Sequence, residues 1–133
     1  MILSAEEFVR LRTSEREEEY NLAGHSEAPL EVWLEVIEKY PDYRKWVAYN
    51  KKVPIEILEI LSNDADYVVR SWVATKRKLT PELFLKLAKD VDESVRQRIA
   101  CNPKVSIEIL MILKDDPCEL VAEFAIEKLA QKR

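Results

Sequence analysis

Glycine is nearly absent: Gly24 is the only one in 133 residues, where an ordinary domain has about 7%. Hairpins and sheet connections draw on glycine for positive φ, so its scarcity argues against a β architecture. Cysteine is scarce too. Cys101 and Cys118 are too few for a disulfide framework and read as two reduced thiols, the state expected in the cytoplasm. The single histidine, His25, lies in "AGHSEAP", which reads as a loop; a metal site would have to be completed by carboxylates. No run approaches the roughly 20 apolar residues that span a bilayer, so no membrane association is expected. The start, "MILSAEEF", lacks the basic stretch and small-residue cleavage site of a secretory signal. Gly-rich phosphate loops, zinc spacings and nucleophile signatures are also missing. No cofactor or metal is expected, and no enzymatic activity.

What is present favours helix. Glu, Leu, Lys, Ala and Ile are abundant, and most of these are good helix formers. An apolar share of 47% beside a charged share of 35% fits a globular chain. A single domain, 1–133, is expected, able to bury about two-thirds of its unfolded surface. The formal net charge of −4 is unevenly spread: residues 1–42 hold 4 Lys/Arg and 11 Asp/Glu, whereas residues 43–133 hold 17 and 14. An acidic head on a mildly basic body suits electrostatic steering of a partner.

The chain repeats itself every 26 residues. Segments 43–68, 69–94 and 95–120 align without a gap. Arg44, Arg70 and Arg96 coincide, as do Ala48, Ala74 and Ala100, then Glu56, Glu82 and Glu108, then Leu61, Leu87 and Leu113, then Asp64, Asp90 and Asp116. Trp46 and Trp72 share a position taken by Arg98 in the third copy. A degenerate unit, 27–42, precedes these, and a terminal half repeat, 121–133, follows. Each unit reads as two short helices. In the middle copy the first spans about Asp66 to Thr75, with Val69, Trp72 and Val73 on one face. The second begins near Pro81, with Thr80 as its N-cap and Leu83, Phe84 and Leu87 as its apolar face. Ser106, Ile109, Leu110 and Leu113 repeat that pattern. Helices of about ten residues are marginal alone, so stacking of the units is expected to bury these faces. Residues 1–26 read as an acidic cap of two helices, roughly 5–12 and 15–23. Ser4/Glu7 and Ser14/Glu17 have capping-box spacing, and Gly24 reads as a C-terminal stop.

The stretch "VRSWVATKRKLTPELFLKLAKDVDESVR", continued by "VRQRIACNPKVSIEILMILKDD", resembles the leucine-rich repeat variant, a bacterial relative of HEAT-type α-solenoids. That family's unit has the form V-R-x-x-V-A-x-N-x-x-T-P-x-x-L-x-x-L-x-x-D. The resemblance spans residues 29–126. It implies an all-α short solenoid in which the second element of some units is a 3₁₀ helix, and it implies binding rather than a reaction. The cysteine-rich metal cluster of some members has no counterpart before Cys101. HEAT-like DNA glycosylases share the general fold type, but no motif of theirs is present.

Several clusters are candidates for function. Lys51 and Lys52, then Lys76, Arg77 and Lys78, then Lys104 fall in equivalent turns, so one basic edge is expected. Asp64 and Asp66, then Asp90, Asp92 and Glu93, then Asp115 and Asp116 fall in the return turns and form an acidic one. A phosphate- or acid-binding stripe competes here with simple complementation of helix dipoles, worth about 0.3–1 kcal/mol per charge. Arg44, Arg70 and Arg96 each lie six residues after an acid, Glu38, Asp64 and Asp90. HEAT-like stacks use an Asp/Arg ladder, so a structural ladder is the expected role, and it breaks at Ala122. Trp33, Trp46 and Trp72 read as core, the last two packing on each other. The acid run "SEREEEY", 14–20, reads as a solvated helix surface. The sequence reading is a cytoplasmic, non-enzymatic repeat protein that binds another protein. An inhibitor or immunity type is the more specific expectation, with a monomer or weak homodimer as its state. Candidate contacts are Tyr43, Tyr49, Tyr67, Trp72, Lys51, Lys52, Lys76, Arg77 and Lys78. The alternative is a nucleic-acid binder that uses the basic loops.

Overall fold

The computed structural model describes residues 1–132, all of them in helices or their connections. Among the described residues there are ten α-helices: α1 (Ala5–Thr13), α2 (Glu17–His25), α3 (Leu30–Lys39), α4 (Arg44–Tyr49), α5 (Ile55–Leu61), α6 (Tyr67–Ala74), α7 (Pro81–Ala88), α8 (Glu93–Cys101), α9 (Ile107–Leu113) and α10 (Glu119–Gln131). A 3₁₀ turn, Pro41–Tyr43, precedes α4. No strand occurs among the described residues. The chain divides into two compact units, Met1–Leu61 and Ser62–Arg133.

In the second unit the 26-residue period becomes a repeated local structure. Asp66 and Asp92 accept hydrogen bonds from the Val68 and Ser94 amides and start α6 and α8. Thr80 and Ser106 do the same for Leu83 and Ile109 and start α7 and α9, with Pro81 in the first turn of α7. These caps satisfy amide donors that no helix turn can reach. The apolar faces recur at the same spacing. Val69, Val95 and Val121 are buried, as are Val73, Ile99 and Ala125, then Phe84 and Leu110, then Leu87 and Leu113. α8 packs on α6, α7, α9 and α10, and α7 packs on α9.

Two buried asparagines hold the connections. The Asn102 amide donates to the carbonyls of Ala74 and Lys76, at 2.9 and 2.8 Å, while its oxygen accepts the Lys104 amide at 2.9 Å. In the first unit Asn50 donates to the carbonyls of Ala23 and Ser26 and accepts from the Lys52 amide, at 2.8, 3.0 and 2.7 Å. Each is therefore fully used in a place where water does not reach.

The first unit departs from expectation in several places. Ser4 caps α1 through the Glu7 amide, and Glu7 reaches back to the Leu3 amide, one residue before the cap. Ser14 and Glu17 form no capping box. Ser14 closes α1, donates to Glu19 and accepts from the Arg16 amide, so α2 starts only at Glu17, without a side-chain cap. Gly24 is not a stop. It lies inside α2 without positive φ, and its carbonyl accepts the Lys51 amide at 2.8 Å. A Cβ on Gly24 would stand 3.3 Å from Cε1 of Tyr49, so the glycine serves close approach. His25 is the last residue of α2 rather than a loop residue, its Nδ1 2.9 Å from the Asn21 carbonyl. The second elements α5, α7 and α9 are all α-helical, and the 3₁₀ turn precedes a first element instead. Trp33 is buried edge-to-face against Phe8, with centroids 5.2 Å apart.

Asn102→Ala removes three hydrogen bonds and leaves buried carbonyls unpaired, so it should cost about 1–3 kcal/mol, read as a lower midpoint in a urea or thermal melt. Asn102→Asp sets a carboxyl against two carbonyls and so raises its folded-state pKa. Relative to wild type, this variant should be most stable below the ordinary aspartate range and lose stability as pH rises through it. Paired melts at acidic and neutral pH read the difference, and the opposite trend would contradict the clasp.

Candidate functional site

Two of the recurring arginines, Arg70 and Arg96, form bidentate forks. Arg70 donates through Nε and Nη2 to both carboxylate oxygens of Asp90, at 2.8 and 3.1 Å, and through Nη1 to the Asp64 carbonyl at 2.7 Å. Arg96 repeats this with the Asp116 carboxylate, at 2.8 and 3.2 Å, and the Asp90 carbonyl at 2.7 Å. The acid six residues earlier thus contributes its backbone, and the carboxylate comes from the next turn, 20 residues on. Asp116, which has no arginine at position 122, is a full member through Arg96. Both pairs are largely withdrawn from solvent. Hydrogen bonding to the two aspartates holds both guanidinium pKa values above their ordinary range. Arg44 in the first unit donates through Nε to the Ile37 carbonyl at 2.8 Å.

The same aspartates shape the turns. Asp64, Asp90 and Asp116 each accept the amide two residues on, from Asp66, Asp92 and Cys118. The expected acidic edge in this unit is therefore largely absorbed by turns, caps and forks. The acid run near the start is also engaged. Glu19 bonds Arg10 at 2.7 Å and Ser14 at 2.9 Å, and the bond to Arg10 pulls its carboxyl below the usual range. Glu18 bonds Arg16 at 2.7 Å.

The aromatic candidates are dispersed. Trp46 carries the Arg12 guanidinium over its ring at 3.4 Å, and that guanidinium also faces Tyr20 at 4.3 Å. Tyr49 stands edge-on to Trp46 and has the Lys51 ammonium over its ring, with Gly24 behind it. Tyr43 packs edge-on to Tyr40. It also borders a polar cleft of about 470 Å³ with Arg12, Asp42, Lys45 and Trp46. Trp72 is half-buried with Arg98 over its ring at 5.7 Å, and Tyr67 is exposed at the start of α6. These contacts use the rings to hold cations of this chain itself. Lys52 is exposed in the Asn50 turn.

One concavity has a different character. α7 and α9, with the connections before them, border a groove of about 640 Å³. Leu79, Phe84 and Ile109 form its floor, each 7% or less exposed. Leu85 and Ile112 form its open walls, exposed by 39% and 44%. Arg77 and Lys104 stand at its rim with Ser106 and Glu108. Neither Arg77 nor Lys104 has an ion pair or a side-chain hydrogen bond among the described residues. The Asn102 clasp brings their two loops together, because it bonds the Lys76 carbonyl on one side and the Lys104 amide on the other. Of the basic cluster, Arg77 lines the groove, Lys76 is half-buried in the clasped turn and Lys78 is exposed beside it. Leu85 and Ile112 carry no signal in the sequence beyond being apolar at positions outside the main apolar face of each helix.

No group of three or more His, Cys, Asp or Glu side chains converges as metal ligands among the described residues. Burial raises the pKa of the Cys101 thiol, which lowers its nucleophilicity at neutral pH. Among the described residues no helix is long and apolar enough to cross a membrane. No protein-family model, curated protein or solved structure matches this chain.

Arg70→Lys keeps the charge but cannot span both oxygens of Asp90 and the Asp64 carbonyl. It should lower stability by about 1–2 kcal/mol, measured by chemical denaturation. A double-mutant cycle with Asp90→Asn should return a coupling of at least about 0.5 kcal/mol, and additive losses would reduce the fork to a surface pair.

Proposed function

We propose that this chain is a non-enzymatic protein-binding module, a short α-solenoid of 26-residue units similar to the leucine-rich repeat variant, and that the α7/α9 groove is its binding face. The observation that carries the reading is the groove itself: solvent-open apolar walls above an apolar floor, with two cations that no carboxylate among the described residues engages. Exposed apolar side chains beside unengaged charges are the usual composition of a contact surface. The repeated caps and forks support the repeat reading, because they recur at the sequence period. A nucleic acid would use Arg77, Lys78 and Lys104 but has little use for Leu85 and Ile112, which favours a protein partner.

Leu85→Asp/Ile112→Asp places charges at two exposed sites and should leave the thermal midpoint within about 1–2 °C of wild type. Immobilised wild-type chain should retain a protein from lysate of the source organism after nuclease treatment and at high salt, and the double variant should lose it. Recovery of nucleic acid alone, abolished by salt and by Lys76→Glu/Arg77→Glu/Lys78→Glu, would replace this reading with the nucleic-acid one.

A further inference from the structure

We infer that the occupant of the groove is an amphipathic helix of the partner protein, with apolar side chains between Leu85 and Ile112 and an acidic residue against Arg77 and Lys104. The inference rests on the protein-binding reading and adds the partner's chemistry to it.

Three features of the groove select this occupant. Its walls are helices, and no strand edge exists among the described residues, so an extended peptide would find no backbone partner to pair with. The lined stretches run from Arg77 to Leu85 and from Lys104 to Ile112, long enough to lie along about two turns of helix, or roughly 10 Å. A helix presents apolar side chains at i, i+3, i+4 and i+7 over that length. The rim supplies the charge. Arg77 and Lys104 are two cations against one anion, Glu108, which sits in the first turn of α9 where the helix dipole favours it. A basic helix would bring like charges together here, whereas an acidic one finds partners already unengaged.

The rim is also held ready. Asn102 ties the loop of Arg77 to the loop of Lys104 through two of its three hydrogen bonds. The two cations are carried on a fixed backbone, so less ordering remains to be done on binding. The same clasp that stabilises the fold therefore sets the spacing at which an acidic residue is recognised.

The test is a selection from a display library of helical peptides of about 16 residues, roughly four turns. It is run against the full chain, with counter-selection on the Leu85→Asp/Ile112→Asp variant. Enriched peptides should carry apolar residues at helical spacing and Asp or Glu toward one end. A selected peptide, labelled and followed by anisotropy, should bind Arg77→Glu/Lys104→Glu at least about tenfold more weakly. Its affinity for wild type should fall several-fold between about 50 mM and about 300 mM salt. Enrichment of basic or non-helical peptides, no enrichment, or equal binding to the counter-selected variant would overturn the acidic-helix inference. Concentration-dependent self-association of the wild-type chain that Leu85→Asp abolishes would overturn it too, in favour of a second copy. In each case the protein-binding reading survives if the pull-down still retains a protein through Leu85 and Ile112. If only nucleic acid is retained there, the reading itself falls.

Discussion

The arginine fork is the interaction on which the second unit depends. Arg70 and Arg96 each join two turns that lie 26 residues apart, one through its carbonyl and the next through its carboxylate. The aspartate cannot serve that purpose alone. Asp90 also accepts the Asp92 amide, so one carboxylate orders a turn and receives the preceding arginine, while the neighbouring Asp92 carboxylate caps α8. A planar guanidinium suits this because its donors are fixed relative to one another; a lysine could satisfy only part of the set. Helices of seven to nine residues are too short to persist alone. They hold because their ends are tied at the same period at which their apolar faces are buried.

Much of the helical layout was legible in the sequence. Thr80–Pro81, Ser106 and Asp66 are local signals whose physics operates within three residues, and the helices begin where those signals stand. The apolar spacing located the buried faces for the same reason. What was misplaced depends on distant partners. Ser14/Glu17 has capping-box spacing, but Ser14 is claimed by Glu19 and Arg10 takes the other Glu19 oxygen. Gly24 has the residue type of a helix stop, yet its role is set by Tyr49, far along the chain. The arginine register was likewise ambiguous, because an acid lies both six residues before and 20 residues after each fork, and only packing decides which end of the aspartate is used.

The candidate site was less legible. The basic cluster Lys76–Lys78 stands out in any reading of the sequence, but its three residues diverge in place: one is half-buried, one borders the groove and one faces solvent. Trp72 and Tyr49 stand out as well, and both face cations of this chain instead of open apolar surface. Leu85 and Ile112 do not stand out. They are ordinary apolar residues on helices rich in them, and only the placement of α7 beside α9 leaves them at a groove mouth. Asn102 is one polar residue in a short turn, and the sequence alone does not say that its amide donates to the carbonyls of Ala74 and Lys76.

Charge use separates scaffold from surface. In the second unit Asp90 and Asp116 are engaged by Arg70 and Arg96, and Asp66 and Asp92 are engaged by helix amides. Those groups cannot recognise a partner without loosening the turns they hold. Arg77 and Lys104 have no such duty, although the Asn102 clasp fixes the backbone beneath them. A count of charges along the sequence treats all of these as equal. Their hydrogen bonds divide them into ions bound into turns, caps and forks and ions with no such bond, and Arg77 and Lys104 at the α7/α9 rim belong to the second group, even though the chain as a whole carries net negative charge.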